Sequence, residues 1–250
     1  MNIQLNENNE AFVLPVSVKS GHIRLFERLH KSPDNTTTLE KCLLVLSTPR
    51  SGSTLFCEAL NNTGLLGVCD EWLNYEYFSA WSQVVGRDTF FLPEYLQWLE
   101  RKTVRGTGVF CLKLHVGQLI AMNEDFKMGI ESMDFDHVVY TYRRDKLAQA
   151  VSLAKATSTN QFRSYETPMA EANVSRTAVA DGIKTITQHD EFVRNLLWHY
   201  VDVQYAYEDF QQLRQAFFKS FCSTPLRLPF QPNLLLTARN HRAARRCALY

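Results

Sequence analysis

The chain has 250 residues and a formal net charge of +1, and 45% of its residues are hydrophobic. A chain of this length can bury one sizeable core, so we predict a single domain spanning residues 1–250. The near-neutral charge excludes the general attraction to nucleic acids or acidic membranes that a strongly basic protein has, so no nucleic-acid partner is expected and any anion site must be local.

The N-terminal segment and the cysteines bear on location. Glu7 and Glu10 stand where a secretory signal would need a basic start and an apolar stretch. No apolar run approaches the roughly 18 residues of a membrane span. The six cysteines form no C-x-x-C pair, which argues against a zinc site or a disulfide framework. We therefore predict a cytoplasmic protein with reduced cysteines, no metal and no integral membrane segment.

The stretch LLVLSTPRSGSTLF, residues 43–56, predicts a strand, a loop and a helix. Branched apolar residues at 43–46 indicate a buried strand, and helical spacing of apolar residues follows until Gly64. The loop and helix start comprise Arg50, Ser51, Gly52, Ser53 and Thr54. Small residues, hydroxyls and a guanidinium at a helix N-terminus favour a phosphate. The same residues also suit an ordinary turn and helix cap, so both interpretations stay open.

Two further strands are predicted, by GVFCLKL (108–114) and by HVVYTY (137–142). Strands that alternate with helices require crossovers, which predicts an α/β fold with a mainly parallel central sheet flanked by helices. In an extended strand, Lys113 lies among buried neighbours and needs an anionic partner. His115, two residues on, is either a helper at the same site or a satisfied interior histidine.

A second basic cluster follows the strand at 137–142. Arg143 and Arg144 stand at a helix start, which Asp145 can cap, and Ser152 comes about two turns later. These residues could bind a second anion or form a solvated helix start. Both basic clusters follow strand ends, where parallel sheets bind ligands, and a ligand with two separated phosphates would explain both. In this helix we expect a core face formed by Leu147, Val151 and Ala154.

An aromatic-rich insert occupies about residues 72–107, between the first helix and the Lys113 strand. Aromatic faces suit sugar rings, but such residues also form small cores, so the insert is either an acceptor wall or a core of its own.

These motifs, with GVCDEW and YEDF (207–210), resemble bacterial carbohydrate sulfotransferases of the trehalose 2-sulfotransferase type over about residues 42–210. The resemblance implies a P-loop-like sulfotransferase domain that uses 3'-phosphoadenosine 5'-phosphosulfate and sulfates a hydroxyl of a carbohydrate or glycolipid. It implies that Arg50 to Thr54 bind the 5'-phosphosulfate, and that Arg143 or Arg144 binds the 3'-phosphate together with Ser152. The family's insert also contributes to dimerisation, which leaves a homodimer open.

Sulfuryl transfer needs a base for the hydroxyl proton and cations near the leaving oxygen. The family's base aligns with Glu71, with Asp70 as a competing carboxylate, and Lys113 is the predicted cation. Pro49 departs from the trehalose enzyme, which has a polar residue there, so the acceptor stays open. The basic tail at about 226–250 does not match the family's C-terminal segment. An alternative hypothesis is therefore a catalytically silent nucleotide-binding or scaffold protein with the same fold.

Overall fold

The computed structural model describes residues 11–12, 18–87, 89–90, 92–121, 135–162 and 167–212. In chain order these ranges contain strand β1 (Ala11–Phe12), helix α1 (Ser20–Lys31), strand β2 (Lys41–Ser47), helices α2 (Ser53–Asn62) and α3 (Tyr75–Val85), strand β3 (Thr89–Phe90), helix α4 (Leu92–Thr103), strand β4 (Val109–His115), helix α5 (Val116–Ala121), strand β5 (His137–Tyr142), helices α6 (Lys146–Thr159) and α7 (Arg176–Phe192) and strand β6 (Val203–Ala206). A π-helical turn (Val193–Leu197) and a 3₁₀ turn (Trp198–Tyr200) precede β6, and a further helix begins at Tyr207. The predicted basic tail, Cys222 and Cys247 lie outside the described residues.

Within the described residues, four strands form a parallel sheet in the order β4-β2-β5-β6. The central strand β2 pairs with β4 on one side and β5 on the other, so that Val45 lies between Lys113 and Val139. Strands β1 and β3 form a separate antiparallel pair. Because parallel neighbours can be joined only by crossovers, helices separate the sheet strands along the chain. The predicted α/β fold with a parallel sheet flanked by helices is confirmed.

The two faces of the sheet are buried in different hydrophobic clusters, because successive strand residues point to opposite sides. On one face, Leu44 and Leu112 pack in a large cluster with Phe26 of α1 and with α3 and α4. On the other face, Val45 and Cys111 pack in a smaller cluster with α2. Helix α2 therefore covers the face that carries the odd-numbered residues of β4, including Lys113.

Residues 67–71 run alongside the edge strand β4. The Gly67 amide donates to the Val109 carbonyl over 2.9 Å, and the Lys113 amide donates to the Asp70 carbonyl over 2.9 Å. Asn61, at the end of α2, fixes this segment by accepting from the Cys69 amide and donating to its carbonyl, at 2.7 and 3.1 Å. The chain leaving α2 is thus held beside the sheet, and Glu71 arrives next to the carboxyl end of β4.

The aromatic insert forms a core with helix α1. Trp72, Tyr77, Trp81 and Tyr95 are almost completely buried, and Trp72 and Tyr77 pack edge-on or tilted against Phe26 or each other. For these four side chains the core interpretation holds, since a buried ring is not available to a sugar. The side chains of Phe90 and Phe91, also part of the predicted insert, lie outside those the structure describes.

The expected core face of α6 is wrong in part. Leu147 and Val151 are 60% and 40% exposed, whereas Ala150 and Ala154 are buried. Helix α7 packs closely on α6, and a Cβ built on Gly182 would lie 3.2 Å from that of Ala150. Small residues permit this close approach, so α6 buries its alanines rather than its larger apolar residues.

The part of the chain that the structure describes contains no helix that is long and apolar enough to cross a membrane. Its four cysteines are buried free thiols: Cys42, Cys57, Cys69 and Cys111. Burial raises the pKa of Cys57 and Cys69 well above the usual value, which keeps both thiols neutral and unreactive.

Candidate active site

The loop between β2 and α2 lies at the carboxyl end of the sheet and is anchored from two neighbouring elements. The Gln149 amide of α6 donates to the Thr48 hydroxyl and the Pro49 carbonyl over 2.9 and 2.7 Å. The buried Ser51 hydroxyl lies 3.3 Å from that of Thr141 near the end of β5. Arg50 has a φ of 61°, a left-handed conformation that is rare for residues other than glycine. The loop is therefore held in a fixed and locally strained shape.

Gly52 is required where it stands. Its φ is 81°, and a Cβ built on it would lie 2.4 Å from Cδ2 of the Tyr207 ring. Arg143 also contacts this ring: its guanidinium carbon lies 4.7 Å from the ring centroid. Tyr207 thus connects the first predicted basic cluster to the second.

The N-terminus of α2 receives no side-chain cap from its N-cap residue, Gly52. The first amides of a helix have no intrahelical acceptor and carry a partial positive charge. Ser53 is buried at this end, and Thr54 accepts a hydrogen bond from Lys113 Nζ over 2.9 Å. Amides and hydroxyls therefore converge beside the loop, as an anion site requires.

The sequence predicted that Ser152 acts with Arg143 or Arg144, but in the structure it contacts Arg50 of the first basic cluster. Arg50 Nε donates to the Ser152 hydroxyl over 3.0 Å, and its Nη1 donates to the Phe162 carbonyl over 2.5 Å. The guanidinium of Arg50 therefore spans from the β2–α2 loop to helix α6. Spacing along the chain could not indicate this contact, because it joins residues about one hundred positions apart.

The adjacent arginines at the end of β5 have different environments. Arg144 is half exposed and forms two hydrogen bonds with the Asp209 carboxylate, at 2.7 and 2.5 Å. Arg143 is mostly buried, and its Nε lies 3.8 Å from Glu208 Oε1 and has no hydrogen-bond partner among the described residues. Arg143 contacts Tyr207, which in turn packs against Gly52 of the loop, whereas Arg144 forms an ion pair with Asp209 at the surface.

Glu71 and Lys113 form a buried ion pair beside the loop. Glu71 Oε1 lies 2.6 Å from Lys113 Nζ, and the side chains are 16% and 1% exposed. Lys113 also donates to Thr54, so this ammonium bridges the start of α2 and the Glu71 carboxylate. The prediction that Lys113 needs an anionic partner is confirmed, and the partner is the residue that the resemblance singled out as the base.

The two members of this pair shift each other's pKa. Burial opposes the charge on Glu71, but the attraction of His115 and Lys113 outweighs it and lowers the pKa of Glu71 well below its usual value. Burial likewise opposes the charge on Lys113, but the nearby Glu71 raises the pKa of this ammonium. Both groups are therefore charged at neutral pH.

The Asp70 carboxylate accepts hydrogen bonds that stabilise the local fold. It accepts from the Glu71 amide over 2.8 Å and from the Tyr77 hydroxyl over 2.9 Å. Both contacts fix the turn that leads from the β4 edge into the aromatic layer. Of the two neighbouring carboxylates, Glu71 faces Lys113 and the loop, and Asp70 faces the core of the insert.

His115 is a member of the site whose role the sequence left open. Its Nε2 lies 3.2 Å from Glu71 Oε1, and its Nδ1 lies 2.8 Å from the Ser47 hydroxyl at the end of β2. Strand alternation placed His115 on the same face as Lys113, but only the tertiary structure brings Glu71 to both. Among the described residues, no group of three or more His, Cys, Asp or Glu side chains is arranged to hold a metal ion.

The protein is therefore an α/β protein with a candidate site at the carboxyl ends of its parallel strands. The site combines a strand–loop–helix element with cations and the largely buried Glu71 carboxylate. Residues 42–197, well over half of the chain, match the family model described as Stf0 sulphotransferase. The chain belongs to this sulfotransferase family, and the resemblance to the trehalose 2-sulfotransferase type is confirmed. No curated protein matches the chain.

Proposed function

We propose that the protein transfers a sulfuryl group from 3'-phosphoadenosine 5'-phosphosulfate to a hydroxyl of a carbohydrate or glycolipid. The observation that carries this proposal is the contact chain from Thr54 through Lys113 to Glu71, which joins a candidate phosphate loop to a buried carboxylate. The donor, when bound, supplies an activated sulfuryl group attached to a phosphate that can leave. The family membership supports the reaction type, and the residues supply the proposed roles.

The residues around the loop fit such a donor. An uncapped helix start, the buried hydroxyls of Ser51 and Ser53 and a glycine that leaves no room for a side chain suit the 5'-phosphosulfate. The buried Nε of Arg143, unpartnered among the described residues, suits the 3'-phosphate. We therefore propose Arg143 rather than Arg144 for this contact, since Arg144 is engaged by Asp209. Arg50 donates a hydrogen bond to Ser152, so we propose that the two side chains line the donor site together.

The two oxygens of Glu71 have different surroundings. Oε1 is held by Lys113 and His115, whereas Oε2 accepts, within the described part of the chain, one hydrogen bond, from the Asn74 side-chain amide over 3.2 Å. We therefore assign Oε2 as the oxygen that takes the proton of the acceptor hydroxyl. A positioned base of this kind typically contributes about 10² to 10⁴ in rate.

Lys113 couples the base to the leaving group. Uptake of a proton by Glu71 would weaken its attraction for Lys113, and a donor held at the start of α2 would supply a phosphate that gains negative charge as it leaves. The same ammonium can then stabilise that charge without moving far, because it already contacts both Glu71 and Thr54. Preorganised cations of this kind need no rearrangement at the moment of reaction.

The silent-binder alternative makes a different prediction for the Glu71–Lys113 pair, which would then only stabilise the fold. The test measures two properties of each variant: affinity for adenosine 3',5'-bisphosphate, and transfer of labelled sulfate from the donor to a panel of sugars and glycolipids. Glu71→Gln should cut transfer by about 10² or more and change nucleotide affinity little, because a base faces the neutral hydroxyl.

Asp70→Asn is the matched control, since this neighbouring carboxylate contacts Tyr77 and a backbone amide. It should reduce transfer far less than Glu71→Gln. Arg50→Ala should weaken bisphosphate binding by about tenfold or more, because it removes charge-assisted hydrogen bonds. Wild-type protein that binds the nucleotide but sulfates nothing on the panel would favour the silent binder, and equal affinity for the bisphosphate and 5'-AMP would overturn the role of Arg143.

A further inference from the structure

We propose that His115 is a positioning residue for Glu71, an inference that rests on the proposed role of Glu71 as the base. The imidazole contacts Glu71 Oε1 through Nε2 at 3.2 Å and the Ser47 hydroxyl through Nδ1 at 2.8 Å. Ser47 ends β2, the strand that leads into the candidate phosphate loop. His115 therefore connects the carboxylate to the strand end on which the loop is built.

The hydrogen bonds fix which nitrogen carries the proton when the imidazole is neutral. A carboxylate can only accept, so Nε2 must donate to Glu71, which leaves Nδ1 to accept from Ser47. The buried Ser47 hydroxyl has a weaker alternative acceptor in the Leu114 carbonyl, at 3.5 Å. The result is a directed chain in which Ser47 donates to His115 and His115 donates to Glu71.

This chain selects the oxygen of Glu71 that is available for proton transfer. Lys113 and His115 approach Oε1 from the same strand, two residues apart, and together they prevent the carboxylate from rotating. Oε2 remains on the side of Asn74. Loss of the His115 contact would let the carboxylate turn about its terminal bond, so that either oxygen could pair with Lys113.

Two amide variants test the position of the donor. The amide nitrogen of His115→Gln can reach Glu71 as Nε2 does, whereas that of His115→Asn lies nearer the Nδ1 position. We expect His115→Asn to lower kcat about tenfold or more. His115→Gln should lose less, because its amide nitrogen can keep the hydrogen bond to Glu71 Oε1. His30→Gln, at an exposed histidine of α1, is the control and should keep the wild-type kcat.

A readout without substrate accompanies the kinetics. The ¹⁵N chemical shift of His115 Nε2 should change in Glu71→Gln and stay constant in Asp209→Asn, whose carboxylate pairs with Arg144 instead. An unchanged chemical shift in Glu71→Gln, or a kcat of His115→Asn equal to that of His115→Gln, would overturn the positioning role. Failure of the proposed function gives a different result: no transfer by wild-type protein, with the Nε2 shift still responding to Glu71→Gln.

Discussion

Lys113 is the residue on which the site and the fold depend together. An ammonium that is 1% exposed must have an anionic partner, because an unpaired buried charge costs several kcal/mol. Its partner Glu71 is brought from a segment that runs beside the sheet edge, so the pair also fastens that segment to β4. The charges needed for chemistry are therefore the same charges that hold Glu71 in place.

The pKa shifts of this pair set its dependence on pH. The pKa of Glu71 is lowered by folding, so its contribution to stability is complete above the ordinary pKa of glutamate, about 4.3, and is lost as pH falls towards the folded value. The pKa of Lys113 is raised, so its contribution is complete below the ordinary pKa of lysine and is lost as pH rises through the folded value. The pair stabilises the fold throughout the neutral range.

Lys113→Met should therefore destabilise the protein by about 3–5 kcal/mol at pH 7, because it removes one partner of a largely buried ion pair. Lys113 is one of the two neighbours that lower the pKa of Glu71, so in the variant the carboxyl takes up a proton at a higher pH than in wild type, and the loss should shrink as pH falls. Urea denaturation at neutral and at acidic pH measures this. Lys102→Met is the control: Lys102 is also buried, but its partner Asp34 is half exposed and stays solvated. A pH-independent loss in Lys113→Met would contradict the proposed pairing.

At the scale of elements, the sequence predicts what is local. Strand β5 has the predicted bounds because an apolar run lies between an acidic turn and two arginines, and α2 begins at Ser53 and ends before Gly64 as expected. The predicted core face of α6 is wrong in part, because α7 packs so closely on α6 that small alanines, rather than larger apolar residues, lie at the contact. The contacts of Ser152 and His115 depend on how distant elements meet, and no spacing in one chain encodes them.

The strand–loop–helix element makes a prediction about its glycines. Gly52 and Gly64 both have positive φ, but a Cβ at Gly52 would meet the Tyr207 ring at 2.4 Å, while a Cβ at Gly64 would have nothing within 4 Å. Each change to alanine incurs backbone strain of about 1–3 kcal/mol. Gly52→Ala should in addition displace Tyr207 and weaken bisphosphate binding, by about tenfold if one charge-assisted contact is lost.

Gly64→Ala is the matched control for this experiment, because it carries the strain without the contact. It should lower the free energy of unfolding and leave nucleotide affinity as in wild type. Calorimetric titration with the bisphosphate, beside urea denaturation of each variant, separates the two effects. Equal affinities in the two variants would show that the Gly52–Tyr207 contact has no part in binding.

At the scale of the whole molecule, the two hydrophobic clusters lie on opposite faces of one sheet. Both clusters contain side chains of strands β2, β4 and β5, so unfolding of these strands disrupts both. We therefore expect the two clusters to unfold together. This agrees with the prediction of a single domain over residues 1–250, which stays a prediction. Trp72 and Trp81 report on the α1–α4 layer, and Trp198 lies after α7.

We therefore expect tryptophan fluorescence and far-UV circular dichroism to give coincident unfolding curves in urea. Adenosine 3',5'-bisphosphate at 100 times its Kd should shift both curves equally, by about 2.7 kcal/mol, because it binds the folded state. Curves with different midpoints, or a ligand-induced shift in one signal and not the other, would divide the chain into separately folding units.

The left-handed backbone of Arg50 has a consequence for protein engineering. An L-residue in this conformation costs roughly 1–2 kcal/mol relative to the usual helical region, and glycine would relieve it. Selection for thermostability alone would therefore favour glycine here and remove the guanidinium that reaches Ser152 and Phe162. Position 50 is a place where directed evolution for robustness and directed evolution for turnover should choose different residues.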